Sequence, residues 1–139
     1  GYCMMLGNCR FVHGFPPGSP TVYLFEVDSE KLKTTLEQMR EWICFVGHTH
    51  LLEMISYDGV EVRRKTLRKG EFHLNPDEKY IINAGSVGQP RDDDNTAKYV
   101  IIDSIASKLI VRSVPYNVDE TVRKIYQAGL PEQHAWRLM

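Results

Sequence analysis

Cys44-Phe45-Val46-Gly47-His48-Thr49-His50 is the stretch that decides the fold. It continues the apolar run that opens at Ile43. Ile43 to Val46 has no polar break, so it reads as a strand buried on both faces. Gly47 ends the run, and His48 and His50 follow with one residue between them. A strand end is a rigid platform, and the loop leaving it is where open α/β sheets place ligands. Phe11-Val12-His13-Gly14 repeats the pattern, since Cys9 to His13 is another short apolar run closed by a histidine beside a glycine. In an extended segment, residues i and i+2 point to the same side about 6.5 Å apart. That is wide for chelating one ion and suits two ions about 3.5–4 Å apart, each taking one imidazole. Spacing alone leaves two readings open, a metal centre or plain hydrogen-bonded structure.

Working outward, Gly14-Phe15-Pro16-Pro17-Gly18-Ser19-Pro20 is a loop by its glycine and proline content. Thr21 to Val27 is ambiguous between strand and helix start. Ser29 is expected to cap a helix running through Arg40, with Leu32, Leu36 and Met39 on one face. Leu51–Tyr57 and Val60–Leu67 flank Asp58-Gly59, a strong hairpin signal. Phe72–Leu74 and Tyr80–Asn83 read as short strands, and Lys98–Asp103 with Leu109–Val114 as a second hairpin. Asn117 and Glu120 resemble a capping box opening a helix that ends at Gly129, with Pro131 beyond. Residues 132–139 are expected to form one more short helix. Many short strands and two or three helices, with no repeat or linker, fit one domain or part of one.

The 139 residues carry 17 basic and 18 acidic side chains, a formal net charge of −1. That balance gives no footprint for a nucleic-acid platform or an acidic membrane surface. No apolar run approaches the ~20 residues of a membrane-spanning helix. Cys3, Cys9 and Cys44 are odd in number, which points to a reducing, cytoplasmic setting. The chain begins Gly1-Tyr2-Cys3 with a buried strand expected only a few residues on. It therefore reads as the later part of a longer fold.

Three motifs, in order, carry a resemblance: Phe11-Val12-His13-Gly14-Phe15-Pro16, then Cys44 to His50, then Ile82-Asn83-Ala84-Gly85-Ser86-Val87-Gly88-Gln89-Pro90-Arg91-Asp92. Together they resemble the C-terminal half of a calcineurin-like metallophosphoesterase, near the small bacterial and archaeal phosphoesterases that are also similar to diadenosine tetraphosphate hydrolases. The likeness covers nearly all of residues 9–139, including Ala135-Trp136-Arg137-Leu138. It implies an α/β fold, a two-sheet sandwich flanked by helices, represented by its strand-rich C-terminal portion over residues 1–139. It implies two divalent transition-metal ions, Mn first and Fe, Ni or Zn also suited to imidazole. His13 and His48 would hold one ion and His50 the other. A metal-bridging hydroxide would then hydrolyse a phosphate mono- or diester on a small phosphorylated substrate or a phosphoprotein.

The departures matter as much. The family's Asp-x-His, Gly-Asp-x-x-Asp and Gly-Asn-His motifs are missing from this sequence, and with them the bridging carboxylate and the histidine that helps protonate the leaving group. Gly7-Asn8-Cys9 echoes the last of these but lacks its histidine and is too close to His13. No catalytic residue is assigned within these 139 residues, and the chain alone is expected to be inactive. The alternative is a non-catalytic scaffold or inactive fragment acting through protein contacts. An uncovered sheet is expected to drive self-association or pairing with an N-terminal fragment. Arg91 could reach a phosphate as a planar fork, although a plain loop arginine is the simpler reading. Asp92-Asp93-Asp94 reads as a solvated loop, His73 as a solvent-facing strand residue and His134 as a packing residue. Cys44 reads as a small buried hydrophobe.

Overall fold

The computed structural model describes residues 3–92 and 94–139. Among these residues, nine strands form two sheets. The larger has the order β1 (Cys3–Leu6), β2 (Cys9–Val12), β3 (Ile43–Val46), β7 (Lys79–Ala84), β4 (Leu52–Tyr57) and β5 (Val62–Thr66). Strands β2, β3 and β7 run parallel, whereas β1, β4 and β5 add antiparallel edges. The smaller sheet is antiparallel, in the order β6 (Gly70–His73), β9 (Lys108–Val114) and β8 (Ala97–Asp103). The helices are α1 (Ser29–Gln38), α2 (Val118–Gln127) and α3 (Gln133–Trp136).

Side-chain alternation sorts the core into two layers. On β3, Cys44 and Val46 face one cluster, with Leu32 and Leu36 of α1, Ile55 and Ile81. Ile43 and Phe45 face the other, with Leu52, Ile82, Leu109 and Val111. The large sheet is thus sandwiched between α1 and the small sheet, which is the helix-flanked two-sheet α/β architecture. Continuous apolarity in β3 follows directly, because both its faces are covered. Burying each such aliphatic side chain contributes about 1.5–3 kcal/mol.

Several local expectations change. A strand not expected from the sequence precedes β2: Cys3–Leu6 pair with Cys9–Val12 around Gly7, whose φ of 56° suits a tight turn. Asn8 accepts from the Trp42 backbone N–H at that turn, at the end of β2 away from His13. Its role is structural, in keeping with its exclusion as a motif residue. Asp28, not Ser29, caps α1 by accepting from the Lys31 N–H at 2.7 Å. The helix stops at Gln38. The ambiguous stretch contains one 3-10 turn, Leu24–Glu26, whose end is held by Arg64 donating to the carbonyls of Leu24 and Val27. The Asp58-Gly59 hairpin forms, with Asp58 accepting from Val60 and Glu61 so that β5 begins only at Val62. Asn117 caps α2 by accepting from the Glu120 N–H at 2.9 Å.

Candidate metal centre

Strands β2 and β3 are parallel neighbours, so the loops after them leave the sheet side by side. The His13 carbonyl accepts from the N–H groups of Gly47 and His48, at 2.9 and 3.0 Å. This stitch brings two sequence-distant histidines together: His13 Nε2 lies 3.0 Å from His48 Nδ1. Tyr23 stacks on the His48 ring with centroids 4.1 Å apart, fixing its plane from the side.

The His48–His50 segment is not extended as the spacing argument assumed. His50 N–H donates to Gly47 O at 2.9 Å, and His50 has a φ of 61°. A left-handed backbone at a non-glycine residue costs about 1 kcal/mol or more and persists only where surroundings enforce it. Here the turn brings the His50 ring to the loop after β7. Its Nδ1 lies 2.7 Å from the Gln89 carbonyl, which can only accept, so the ring is a Nδ1–H donor with Nε2 left as the lone-pair nitrogen. A ring nitrogen tied to a carbonyl, with the other left open, is how ligating histidines are usually held.

The support lies beneath. Asn83, fully buried on β7, donates from Nδ2 to the Thr49 hydroxyl and accepts from the Gly85 N–H at 3.1 Å. One side chain therefore joins the histidine loop to the loop after β7. Gly85 has a φ of 75°, and a Cβ there would sit 3.1 Å from Leu52. The Arg91 N–H then donates to the His50 carbonyl at 3.3 Å. Further along, Lys98 is buried, and its Nζ reaches Asp92 Oδ1 at 2.7 Å and the Asp94 carbonyl. Asp92 and Asp94 are thus not a free solvated loop: a buried ammonium anchors them, because an uncompensated buried charge would be costly.

The other singled-out residues divide. His73 is exposed on β6, as expected, and His134 is half-buried in α3 with no partner for Nδ1 among the described residues. Burial pushes the Cys44 thiol up to about 12. Arg91 is exposed at the end of the Gln89-bearing loop. Asp93 lies outside the described residues. The residue reading missed the Tyr23 stack, the Gln89 carbonyl, buried Thr49 and buried Lys98. An aromatic in an ambiguous loop, a backbone oxygen, a threonine and a lysine on an alternating strand carry no local signal of these roles.

Three imidazoles fit metal binding in part. Two nitrogens on one ion at about 2.1 Å would lie about 3.0–3.4 Å apart, matching the His13–His48 pair. Among the described residues no group of three His, Cys, Asp or Glu side chains converges on one point.

Comparison with known proteins agrees with this architecture. The crystal structure of a metallophosphoesterase from Sphaerobacter thermophilus superposes with a TM-score of 0.83 over 99% of this chain, at 31% sequence identity. The chain has the fold of the calcineurin-like metallophosphoesterases. It spans 56% of the length of that metallophosphoesterase. It is also 40% identical over 96 residues to the uncharacterised protein MJ0912 of Methanocaldococcus jannaschii, which is 69% of this chain and 38% of that protein. The hypothetical protein PH1004 of Pyrococcus horikoshii shares the fold at a TM-score of 0.65 and 14% identity, covering 94% of this chain and 45% of that one. No family model matches the chain. No helix among the described residues is long and apolar enough to cross a membrane.

Proposed function

We propose that this chain supplies three imidazole ligands to a two-metal site that hydrolyses phosphate mono- or diesters. The observation that carries the reading is the pair of neighbouring strand ends that sets His13 Nε2 and His48 Nδ1 3.0 Å apart. His13 and His48 would hold one divalent ion and His50, through Nε2, the other. Such ions, Mn by preference and Fe, Ni or Zn otherwise, supply Lewis acidity and acidify water. The chain's own part is positioning. Tyr23 fixes the His48 plane, Gln89 fixes the His50 tautomer, and Asn83 holds the loop between them. Arg91, beside His50, would orient a phosphoryl group as a planar fork. The substrate would be a small phosphorylated compound or a phosphoprotein.

Cobalt(II) titration of the chain, read by visible absorption, tests the ligand set. Imidazole bound to the metal gives saturable d–d bands, which His13→Ala and His48→Ala each weaken about 10- to 100-fold in affinity. Absence of uptake by a folded chain overturns the reading. Hydrolysis is measured on a longer protein that carries this chain, with Mn and phosphomonoester and diester substrates. The second reading is a non-catalytic scaffold acting through protein contacts. It is favoured by the lack of a third converging ligand among the described residues. Metal uptake by the chain, followed by hydrolysis in the longer protein, excludes it.

A further inference from the structure

A cleft of about 320 Å³ lies beside His50, lined by Gln89, Pro90, Arg91, Asp92, Asn95 and Arg137. It shares Gln89 with the histidine cluster, since that residue's carbonyl lies 2.7 Å from His50 Nδ1. Its two cations come from opposite ends of the chain's second half. Arg91 closes the loop after β7, and Arg137 caps α3. The Asn95 side-chain amide donates to the Leu138 carbonyl at 2.9 Å, which docks the end of α3 on the loop before β8. Leu138 is buried at 1% exposure and anchors the same segment.

Both arginines are exposed. Neither guanidinium forms an ion pair among the described residues. The carboxylate in the lining, Asp92, is already engaged by buried Lys98 at 2.7 Å. Two arginines lining one small cleft, with the carboxylate of that lining paired to Lys98, match the chemistry of an oxyanion rather than of a cation or an apolar group.

We propose that Arg91 and Arg137 form a joint phosphate-binding cleft next to His50. Its assignment to substrate rests on the phosphoesterase reading above, whereas its affinity for phosphate does not. Arg137 is then a binding residue that the order of motifs alone would never place near the histidines, because 87 positions separate it from His50 in the sequence.

The test is calorimetric or ³¹P titration of the chain, dialysed free of metal, with inorganic phosphate. One saturable site is expected. Arg91→Gln and Arg137→Gln should each weaken it roughly three- to tenfold, and the double variant should abolish it. Arg112→Gln, on β9 and outside the cleft, should leave it unchanged. Circular dichroism melts confirm that the exposed substitutions leave the fold intact. Arg137→Lys, which keeps the charge and loses the fork, should fall between wild type and Arg137→Gln. Absence of saturable binding by the wild-type chain overturns the proposal. So does binding indifferent to Arg137, or an equal loss with Arg112→Gln. Phenyl phosphate distinguishes the ligand's source: binding with the same two-arginine dependence assigns the cleft to substrate, and exclusion of the ester while free phosphate binds assigns it to the free ion. A chain that binds phosphate here but takes up no metal would remove the two-metal reading and leave the cleft standing.

Discussion

Asn83 shows how much one residue can organise. Its amide has no solvent contact, and it ties Thr49, between the two histidines, to Gly85 on the next loop. Asn83→Ala would strand the buried Thr49 hydroxyl and the Gly85 N–H, costing about 2–3 kcal/mol in urea unfolding. It should also loosen cobalt uptake by the chain, because both histidines lose their common support. Unchanged affinity in a folded variant would show that the amide holds the fold and not the site. The cysteines separate on the same physical ground. Burial raises the thiols of Cys9 and Cys44, the latter to about 12, whereas Cys3 is exposed on β1. Iodoacetamide at neutral pH should therefore label one cysteine in the native chain and all three in urea, because the thiolate is the nucleophile. Mass mapping of the labelled peptides checks this, and native labelling of Cys44 would contradict the burial of β3.

At the scale of elements, the β4–β5 hairpin is tied at its turn by one carboxylate. Asp58 accepts from the N–H groups of Glu61 and Val60 and pairs with Arg63, which together hold its carboxyl down to about 2 against an ordinary 3.8. A depressed carboxyl contributes stability that is complete above its unfolded value and lost as pH falls through the folded one. Asp58→Asn should therefore be less stable than wild type at pH 6. The difference should shrink between about pH 4 and pH 2, where wild type becomes protonated. Parallel urea melts across that range test the sign, and a gap that widens on acidification would refute it. This hairpin was legible because Asp58-Gly59 signals a turn by local chemistry alone. So were β3 and β7, whose apolar runs need two covered faces. The turn at His48–His50 was not legible, because its left-handed His50 is enforced by Gln89 and Arg91, some forty residues on. Asp28 displaced Ser29 as the cap because both can accept from a first-turn N–H and only tertiary placement decides between them. The first strand went unread because Cys3-Met4-Met5-Leu6 has no alternation to reveal a face.

Across the whole molecule, the two edges of the large sheet are built from opposite chemistry. The β5 edge presents Arg63, Arg64 and Lys65, paired in part with Asp58, Glu61 and Glu53. Charge on an edge strand discourages another strand from adding to it. The β1 edge has no such guard. Its four residues are all exposed, with Met4 at 58%, Met5 at 49% and Leu6 at 69%. Alternation along a strand sends Met4 and Leu6 to one face and Cys3 and Met5 to the other. Neither face of β1 is therefore covered, and its outer backbone groups pair with no strand among the described residues. Unpaired N–H and C=O groups flanked by apolar side chains favour strand addition from another chain, while the exposed Met4, Met5 and Leu6 add a non-directional drive. We predict that this chain associates through β1, in light scattering giving a mass above its 16.0 kDa monomer that rises with concentration. Met5→Lys together with Leu6→Lys places a charge on each face of the edge and should shift the population toward monomer without lowering the melting temperature. Both positions contribute little to either core cluster, so stability gives a clean control. A charged double variant that associates as strongly as the wild type would move the interface away from β1. The exposed side chains at the end of the chain, Leu130 and Trp136, would then be the next surface to substitute.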